Sequence, residues 1–290
     1  MKKYLAISAF LFLLPGMMHS QTVAGKIILN QGQVLGITLQ VSTSISQQAM
    51  GQAIEFKVDA TADHEYHVTN STEDNSTLHH QFNRIMFSFD GMGQKKKFDS
   101  KEEKDLSGII GKPVKEMLSK SYDMIIDPTG TVLMAIPEKI QLADGDSRMA
   151  IILSMLKDVT DLVQPPAKGG RSLFKTLPDK ESGMGDKWSY NWEDSNGKYR
   201  EDYTLSAISD STVTVDLAGL SQTTFKAEMM GNPTTTKMNN KTTGKIILDK
   251  ATGLLKEKTT STESNGNTES SFGDIPVTSK TTTVLKVSPR

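Results

Sequence analysis

Val34-Leu35-Gly36-Ile37-Thr38-Leu39-Gln40-Val41 carries the strongest fold signal in the chain, because its apolar residues recur at every second position. Successive side chains of a β-strand point to opposite sides, so this period of two places the four odd-numbered apolar side chains on one face. The same alternation recurs in Ile54-Glu55-Phe56-Lys57-Val58 and in Trp188-Ser189-Tyr190-Asn191-Trp192. The chain is therefore predicted to consist mainly of half-buried β-strands.

Residues that favour turns separate these strands. Examples are Asp127-Pro128-Thr129-Gly130, Ser195-Asn196-Gly197, Ser209-Asp210-Ser211 and Asn265-Gly266-Asn267. Short turns join antiparallel neighbours, whereas parallel strands need long crossover connections. The spacing of the turns thus predicts antiparallel meanders.

One segment has helical periodicity instead. Its apolar residues recur at intervals of three and four, as an amphipathic helix requires, and they are Met149, Ile152, Leu156, Val159 and Val163. Pro165-Pro166 ends the segment. A second, shorter helix is predicted over about 114–120.

The long helix separates two stretches of similar layout. Residues 66–70 followed by 78–82 have the same pattern as 203–207 followed by 213–217, and each pair is predicted to form a hairpin. An acidic glycine turn follows each hairpin, at 127–130 and at 249–253. The chain is therefore interpreted as two related halves that superpose.

These patterns predict an α+β protein that is mainly β. Two related antiparallel β-meander halves form a curved sheet or half-barrel, and the central amphipathic helix packs on it because the apolar side of the strands needs a cover. The expected segments are a signal peptide at 1–20, an N-terminal β half at 21–136, a helical connector at 137–170 and a C-terminal β half at 171–290.

Several of these motifs also support a family comparison. Gln47-Gln48-Ala49-Met50-Gly51-Gln52, then 66–84 and 98–100, are followed in the second half by Gly185-Asp186-Lys187-Trp188, 203–217 and the turn at 249–253. In this order they resemble a bacterial family of secreted proteins and lipoproteins that is classed only as a domain of unknown function. The resemblance covers most of the chain. It implies export and a β-rich fold and supplies no activity.

The first twenty residues have the layout of a secretory signal peptide. Lys2 and Lys3 precede a mostly apolar run, 5–14, which Pro15 ends, and Ser20 is a small residue suited to a cleavage site. The run is about half of the ~20 residues that a membrane-spanning helix needs. We expect an exported protein, periplasmic or extracellular, with no transmembrane span.

The composition excludes several classes of function. Lys and Arg number 33 against 34 Asp and Glu, so no excess of positive charge is available for nucleic acid or an anionic membrane. The chain has no cysteine, which excludes disulfides, thiolate metal ligands and thiol catalysis, and also the lipid attachment found in some members of the family. We expect no nucleic-acid partner.

A group of four histidines suggests metal binding at first sight; they are His64, His67, His79 and His80. We predict a hairpin that pairs Tyr66 with Phe82 and Val68 with His80. His80 then points inward, while His67 and His79 are diagonal neighbours on the outer face, about 7 to 8 Å apart at the backbone. Weak zinc binding by this outer pair is the alternative. We interpret the group as surface and core histidines and assign no metal site.

The aromatic row Trp188, Tyr190 and Trp192 is the candidate ligand-binding surface, together with Leu156 of the helix. Alternate residues of a strand share a face, so the three rings lie side by side. Such a row can line an apolar pocket or stack on sugar rings, and it can also be plain core. We expect the helix to cover this face.

None of the catalytic motifs that we considered is present. The chain has no Gly-x-Ser-x-Gly elbow, no phosphate-binding glycine loop and no His-Glu-x-x-His helix. We assign no catalytic residue and no cofactor. Because Asp and Glu are abundant, an envelope hydrolase with a carboxylate pair stays open as the last-ranked alternative.

The preferred hypothesis is an exported, non-enzymatic binding protein of the bacterial envelope that holds an apolar, lipid-like or amphipathic ligand, or a partner segment, between sheet and helix. The alternative is an envelope scaffold or protein-interaction module whose interior is filled and which has no ligand. A cavity of several hundred Å³ under the helix would favour the ligand carrier, and a solid core would favour the scaffold.

Processing is the first testable prediction. We expect the exported form to begin at Gln21, to within about four residues, because a small residue precedes it just after the apolar run. N-terminal sequencing of exported material measures this. An exported form that still begins with Met1 would contradict it.

Overall fold

A computed structural model describes residues 21–49, 52–91, 93–141, 156–229, 232–271 and 273–290. Its helices are short: α1 Glu103–Leu106, α2 Gly111–Leu118 and α3 Lys157–Thr160, the last continued by a 3-10 helix at Asp161–Val163. Helix α2 confirms the shorter predicted helix. Within these ranges no helix combines the length and the apolar character needed to cross a membrane.

The strands account for most of the described chain, which confirms a mainly β protein. They are β1 Thr22–Val23, β2 Val34–Ala49, β3 Gln52–Ser71, β4 Ser76–Gly91, β5 Gln94–Asp99, β6 Ser121–Ile126, β7 Val132–Ile136, β8 Ser182–Gly183, β9 Lys187–Asp194, β10 Gly197–Ile208, β11 Thr212–Met229, β12 Asn232–Asp249, β13 Leu255–Ser270 and β14 Gly273–Pro289.

Twelve of these strands form one antiparallel sheet. The strand order is β7-β6-β4-β3-β2-β14-β13-β12-β11-β10-β9, and β5 pairs with the C-terminal part of β4. Strands β1 and β8 form a separate two-stranded sheet. Strand β14 lies beside β2, so the last strand of the chain joins the first long one. Among the described strands, β7 and β9 are the two ends of the order.

One predicted turn is wrong. Asn265-Gly266-Asn267 lies inside β13, where Gly266 pairs with Met238 of β12. A Cβ atom at Gly266 would lie 1.9 Å from the carbonyl oxygen of Lys237. Glycine at this position therefore permits close contact between two strands. A glycine needed for such contact cannot be told from a turn glycine by its sequence alone.

The alternating residues of β2 face the core as predicted. Leu35, Ile37, Leu39 and Val41 are all at most 5% exposed. Across the junction with β14, Leu39 pairs with the buried Leu285. We call the side of the sheet that carries these residues the core face.

The segment before β2 lies between the two acidic glycine turns. The Ile27 amide donates to the Pro128 carbonyl at 2.7 Å, and the Ile28 amide donates to the Thr252 carbonyl at 2.7 Å. Gly253 has a φ of 69° and approaches this segment so closely that a Cβ would lie 2.0 Å from the Lys26 carbonyl oxygen. The turns are thus tied to each other through the N-terminal segment.

Only the end of the predicted 149–163 helix lies within the described residues; Met149 and Ile152 lie outside them. Its predicted apolar positions Leu156, Val159 and Val163 are 1%, 0% and 2% exposed. Helix α3 contacts β2 and β3. The expected packing of the whole helix on β9, the strand that carries the aromatic row, stays a prediction, because the first part of the helix lies outside the described residues.

Buried donors on β3 and β6, the strands on either side of β4, hold the helix in this position. His64 on β3 bonds through Nε2 to the Val159 carbonyl at 3.2 Å, and the Tyr122 hydroxyl on β6 donates to the Leu162 carbonyl at 3.2 Å. Carbonyls at the end of a helix lack partners within the helix, so polar side chains that reach them hold the helix in place. Trp188, in contrast, donates its indole N–H to Thr176 in the segment before β8.

The two core histidines form a hydrogen-bonded pair. His64 Nδ1 and His80 Nε2 are 3.1 Å apart, and His80 stacks on Tyr122 with ring centroids 4.5 Å apart. Because His64 donates from Nε2 to a carbonyl, its Nδ1 accepts from His80 in the neutral pair. Burial lowers the pKa of His64 to about 4 and that of His80 to about 3. Both rings are therefore neutral at pH 7.

Packing beneath α3 generates a stability prediction. Leu156→Ala should lower the free energy of unfolding by about 2–5 kcal/mol, because it removes a buried leucine side chain from the core. Leu220→Ala is the matched control, since Leu220 is 60% exposed, and should change it by less than about 0.5 kcal/mol. Urea unfolding measures both variants. A neutral Leu156→Ala would show that this region is not tightly packed.

The histidine pair generates a pH prediction. Histidine in the unfolded chain has a pKa near 6.5, so it takes up a proton as the pH falls below that value. In the folded protein His64 and His80 take up protons only near pH 4 and pH 3, so the unfolded chain binds more protons in between. The free energy of unfolding should therefore fall between pH 6.5 and 5, above the range in which unfolded carboxylates titrate. His80→Phe should reduce this slope. Urea unfolding at several pH values measures it, and a wild-type slope near zero would contradict the burial of two neutral histidines.

Candidate ligand-binding site

The aromatic row lies on β9 with its three rings on the core face. Trp188 stacks on Tyr203 of β10 with ring centroids 5.6 Å apart, and Trp192 stacks on Tyr199 at 4.9 Å. Trp188 and Tyr190 are partly buried and pack against the hydrophobic core, whereas Trp192 is 39% exposed. The row therefore extends from the core to the surface.

Leu156 is buried in the same continuous core, but the helix that follows it contacts β2 and β3. The side chain that lies directly over the row is a different one, Arg171.

The Arg171 guanidinium lies over two rings of the row, 4.2 Å from the Tyr190 centroid and 5.1 Å from that of Trp192. It also donates from Nη2 to the Glu201 carboxylate at 2.9 Å and from Nη1 to the Tyr203 hydroxyl at 3.0 Å. We call these five residues the Arg171 cluster. A planar guanidinium can stack on aromatic faces while its N–H groups bind a carboxylate, a geometry that the compact ammonium of lysine does not offer.

Backbone contacts with the turn before β7 position Arg171. Residue 171 forms a β-bridge with Thr131, and the Ser172 amide donates to the Gly130 carbonyl at 3.0 Å. The Val132 amide donates to Gly170 at 2.9 Å on the other side. The turn before β7 therefore orients Arg171, whose guanidinium makes the cation–π contacts with the aromatic row on β9.

The charges of the cluster are stabilised by one another. Burial raises the pKa of Glu201, but Lys258, the Tyr203 hydrogen bond and Arg171 outweigh it, so the net pKa is lowered. Burial raises the pKa of the Tyr203 hydroxyl, and the Glu201 charge raises it further. At neutral pH the site thus contains an ionised Arg171, an ionised Glu201 and a neutral Tyr203.

Arg171, Glu201 and Lys258 were absent from the sequence-based site. The sequence contains a signal for Glu201, which has the same strand parity as the apolar Tyr203 and Leu205. The core-facing position of Lys258 follows only from the structure, where it pairs with the buried Ile246. A charged residue at a core-facing position needs a polar partner or a function. Arg171 follows a loop and has no such periodicity, so its position depends on the tertiary structure.

The histidine prediction needs a correction in register. Tyr66 pairs with His80 and Val68 with Leu78, a shift of two residues from the predicted pairing. His80 is buried as predicted, but His67 and His79 lie directly opposite each other rather than diagonally. Irregular pairing bounds this stretch on both sides, between Asp63 and His64 and between Val68 and Asn70, and strand alternation alone does not reveal such irregularities.

The outer histidines have carboxylate partners. His67 contacts Glu65, and His79 Nδ1 lies 2.8 Å from Asp123 Oδ1. Within the described ranges no group of three or more His, Cys, Asp or Glu residues could hold a metal ion.

An open cleft of about 680 Å³ lies at the surface end of the row, bordered by residues of β9 to β12 that include Trp192 and Tyr199. Two other clefts, of about 690 and 870 Å³, lie elsewhere on the sheet and include none of the three row residues. Leu156 borders none of these three clefts. Accessible space near the row is therefore at Trp192.

Together these features define an antiparallel β-sheet protein with an aromatic and cationic cluster at one end of the sheet. Residues 168–255 of the chain match the model of a family described as "Family of unknown function (DUF6263)". The matched segment includes all of the Arg171 cluster. No curated protein matches the chain.

Solved structures match the chain at low similarity. A lipovitellin structure titled for lipid–protein interactions has a TM-score of 0.46 at 10% identity; the match covers 91% of this chain and 26% of that one. An outer membrane channel from Pseudomonas putida F1 has a TM-score of 0.26 at 6% identity, and the match covers 91% of this chain and 98% of the channel. OccK7 (OpdD) from Pseudomonas aeruginosa has a TM-score of 0.21 at 8% identity, and the match covers 89% of this chain and 99% of that one. This chain thus spans about a quarter of the lipovitellin chain. At these scores the likenesses assign no function.

Proposed function

We propose that this chain is an exported, non-enzymatic binding protein of the bacterial envelope that holds an amphipathic ligand on the aromatic row. One observation carries the proposal: the end of the row is accessible to solvent. Trp192 is 39% exposed, stacks on Tyr199 and lies beside the Arg171 guanidinium. Aromatic side chains with an apolar body beside polar groups suit ligands that have both characters.

The place of binding in this proposal differs from the space between sheet and helix. Leu156, Val159 and Val163 are each at most 2% exposed, and Phe174 packs edge-to-face on Tyr66 in the same core. A close-packed interior of this kind leaves little room for a ligand. The filled interior is also what favours the second candidate function, an envelope scaffold or interaction module without a ligand.

We also propose that the two halves are related, as the sequence indicates. In support, the turn after β6 and the turn after β12 have similar side-chain caps: Asp127 Oδ1 accepts from the Thr129 amide at 2.8 Å, and Asp249 Oδ1 accepts from the Thr252 amide at 3.0 Å. Gly130 and Gly253 both have positive φ values, 85° and 69°. In strand order, β6 lies beside β4 as β12 lies beside β11.

Binding of decyl maltoside below its aggregation concentration tests the proposed function. We expect saturable binding that raises the melting temperature, because a ligand that binds only the folded state stabilises it. Trp192→Ala should weaken binding by about tenfold or more, since buried aromatic contacts dominate such interfaces. Calorimetry measures the affinity of each variant.

Two controls accompany this experiment. Ile109→Ala removes an exposed apolar side chain between α1 and α2, which borders none of the three clefts, and should leave the affinity unchanged. Maltose alone, which has the sugar but no chain, should not bind. Absence of decyl maltoside binding to the wild-type protein would contradict the proposed site and favour the scaffold.

A further inference from the structure

Lys258 places a cation on the core face close to the Arg171 cluster. It pairs with Ile246 of β12 on one side and with Leu285 of β14 on the other, and these neighbours are 2% and 6% exposed. The side chain therefore leaves the sheet among apolar residues rather than from the charged outer surface. Its charge interacts with Glu201 and with Arg171.

This lysine has no partner at hydrogen-bonding or ion-pair distance among the described residues, whereas Glu201 is already bound by Arg171 and Tyr203. Burial lowers the pKa of Lys258, and the nearby Arg171 lowers it further, while Glu201 acts in the opposite direction. A desolvated ammonium without a direct partner is unfavourable unless an anion compensates it.

Three other carboxylates near the row are bound by partners of their own: Asp179 by Lys175, Asp161 by Lys157 and Asp194 by the backbone amides of 196 and 197. The charges that remain, which act directly on one another, do not balance. Arg171 and Lys258 contribute two positive charges, and Glu201 contributes one negative charge. The excess of one positive charge lies beside a row of aromatic rings that reaches the surface at Trp192. An amphipathic molecule with an anionic group would neutralise this excess charge, while its apolar part would contact the aromatic rings.

We propose that Arg171 and Lys258 bind the phosphate or carboxylate headgroup of the ligand, while its apolar part lies along the aromatic row toward Trp192. This inference rests on the proposed function and adds the chemical class of the ligand, an anionic single-chain amphiphile. Glu201 holds Arg171 in place over the rings, so it orients the cation that faces the headgroup.

Affinities for three probes test the inference: decyl phosphate, decyl maltoside and inorganic phosphate, with both amphiphiles kept below their aggregation concentrations. The two amphiphiles share a chain and differ in headgroup charge. We expect decyl phosphate to bind the wild-type protein at least about tenfold more tightly, as a charge-assisted contact implies. Inorganic phosphate should bind far more weakly than decyl phosphate.

Lys258→Met is the diagnostic variant, because it removes the charge and keeps an unbranched apolar side chain of similar length. Because Arg171 remains, the variant should keep some preference for decyl phosphate, but one reduced by about tenfold from that of the wild-type protein. Lys245→Met is the matched control, since Lys245 lies on the neighbouring strand β12 but is exposed on the outer face, and it should keep the preference for decyl phosphate. Melting temperatures check that both variants fold.

The outcomes separate the two proposals. Equal affinity of the wild-type protein for the two amphiphiles would overturn the headgroup inference and leave the proposed function intact. Binding of neither amphiphile would overturn both. Inorganic phosphate that binds as tightly as decyl phosphate would support an anion site and overturn the amphipathic ligand. A preference of unchanged size in Lys258→Met would show that Lys258 does not bind the headgroup.

Discussion

The hydrogen-bonded pairing of β2 with β14 is the constraint on which the rest of the structure depends. It runs from Val277 opposite Gln47 to Pro289 opposite Leu35 and joins the end of the chain to its beginning. Without it, the strands on either side would be two separate sheets with two more unpaired edges. With it, one continuous core face extends from β7 to β9, and helix, turns and N-terminal segment pack on the same side.

The continuity of the sheet also brings two kinds of buried polar group to that face. Under α3, His64, His80, Tyr66 and Tyr122 bond to one another or to helix carbonyls, and all are at most 2% exposed. At the β9 edge, Arg171 and Glu201 retain 26% and 20% of their side-chain exposure. The first group is closed to solvent and holds the helix, while the second can meet a ligand. This difference in accessibility is why the function is placed on the second group.

Particular residues show how far sequence patterns reach. Alternation identified the core face of β2 through Leu35 to Val41, and turn residues located the acidic glycine turns after β6 and β12. The same reasoning misjudged Gly266, because a glycine that permits close strand contact has the same one-residue signal as a glycine in a turn. It also missed the register shift near Asp63, since an irregular pairing involves two strands and one strand's periodicity contains no information on its partner.

The sequence by itself determined the mainly β class of the protein and the core face of strands such as β2, because side-chain alternation and turn chemistry are local properties that neighbouring residues encode. It also identified the row Trp188, Tyr190 and Trp192. Only the tertiary structure decided that Arg171 covers that row, that α3 packs on β2 and β3, and that Lys258 lies near Glu201. Each of these contacts joins residues that are far apart in the chain, so no local pattern encodes it. Such contacts form because buried charges and buried carbonyls need polar partners, and the folded sheet brings those partners within reach.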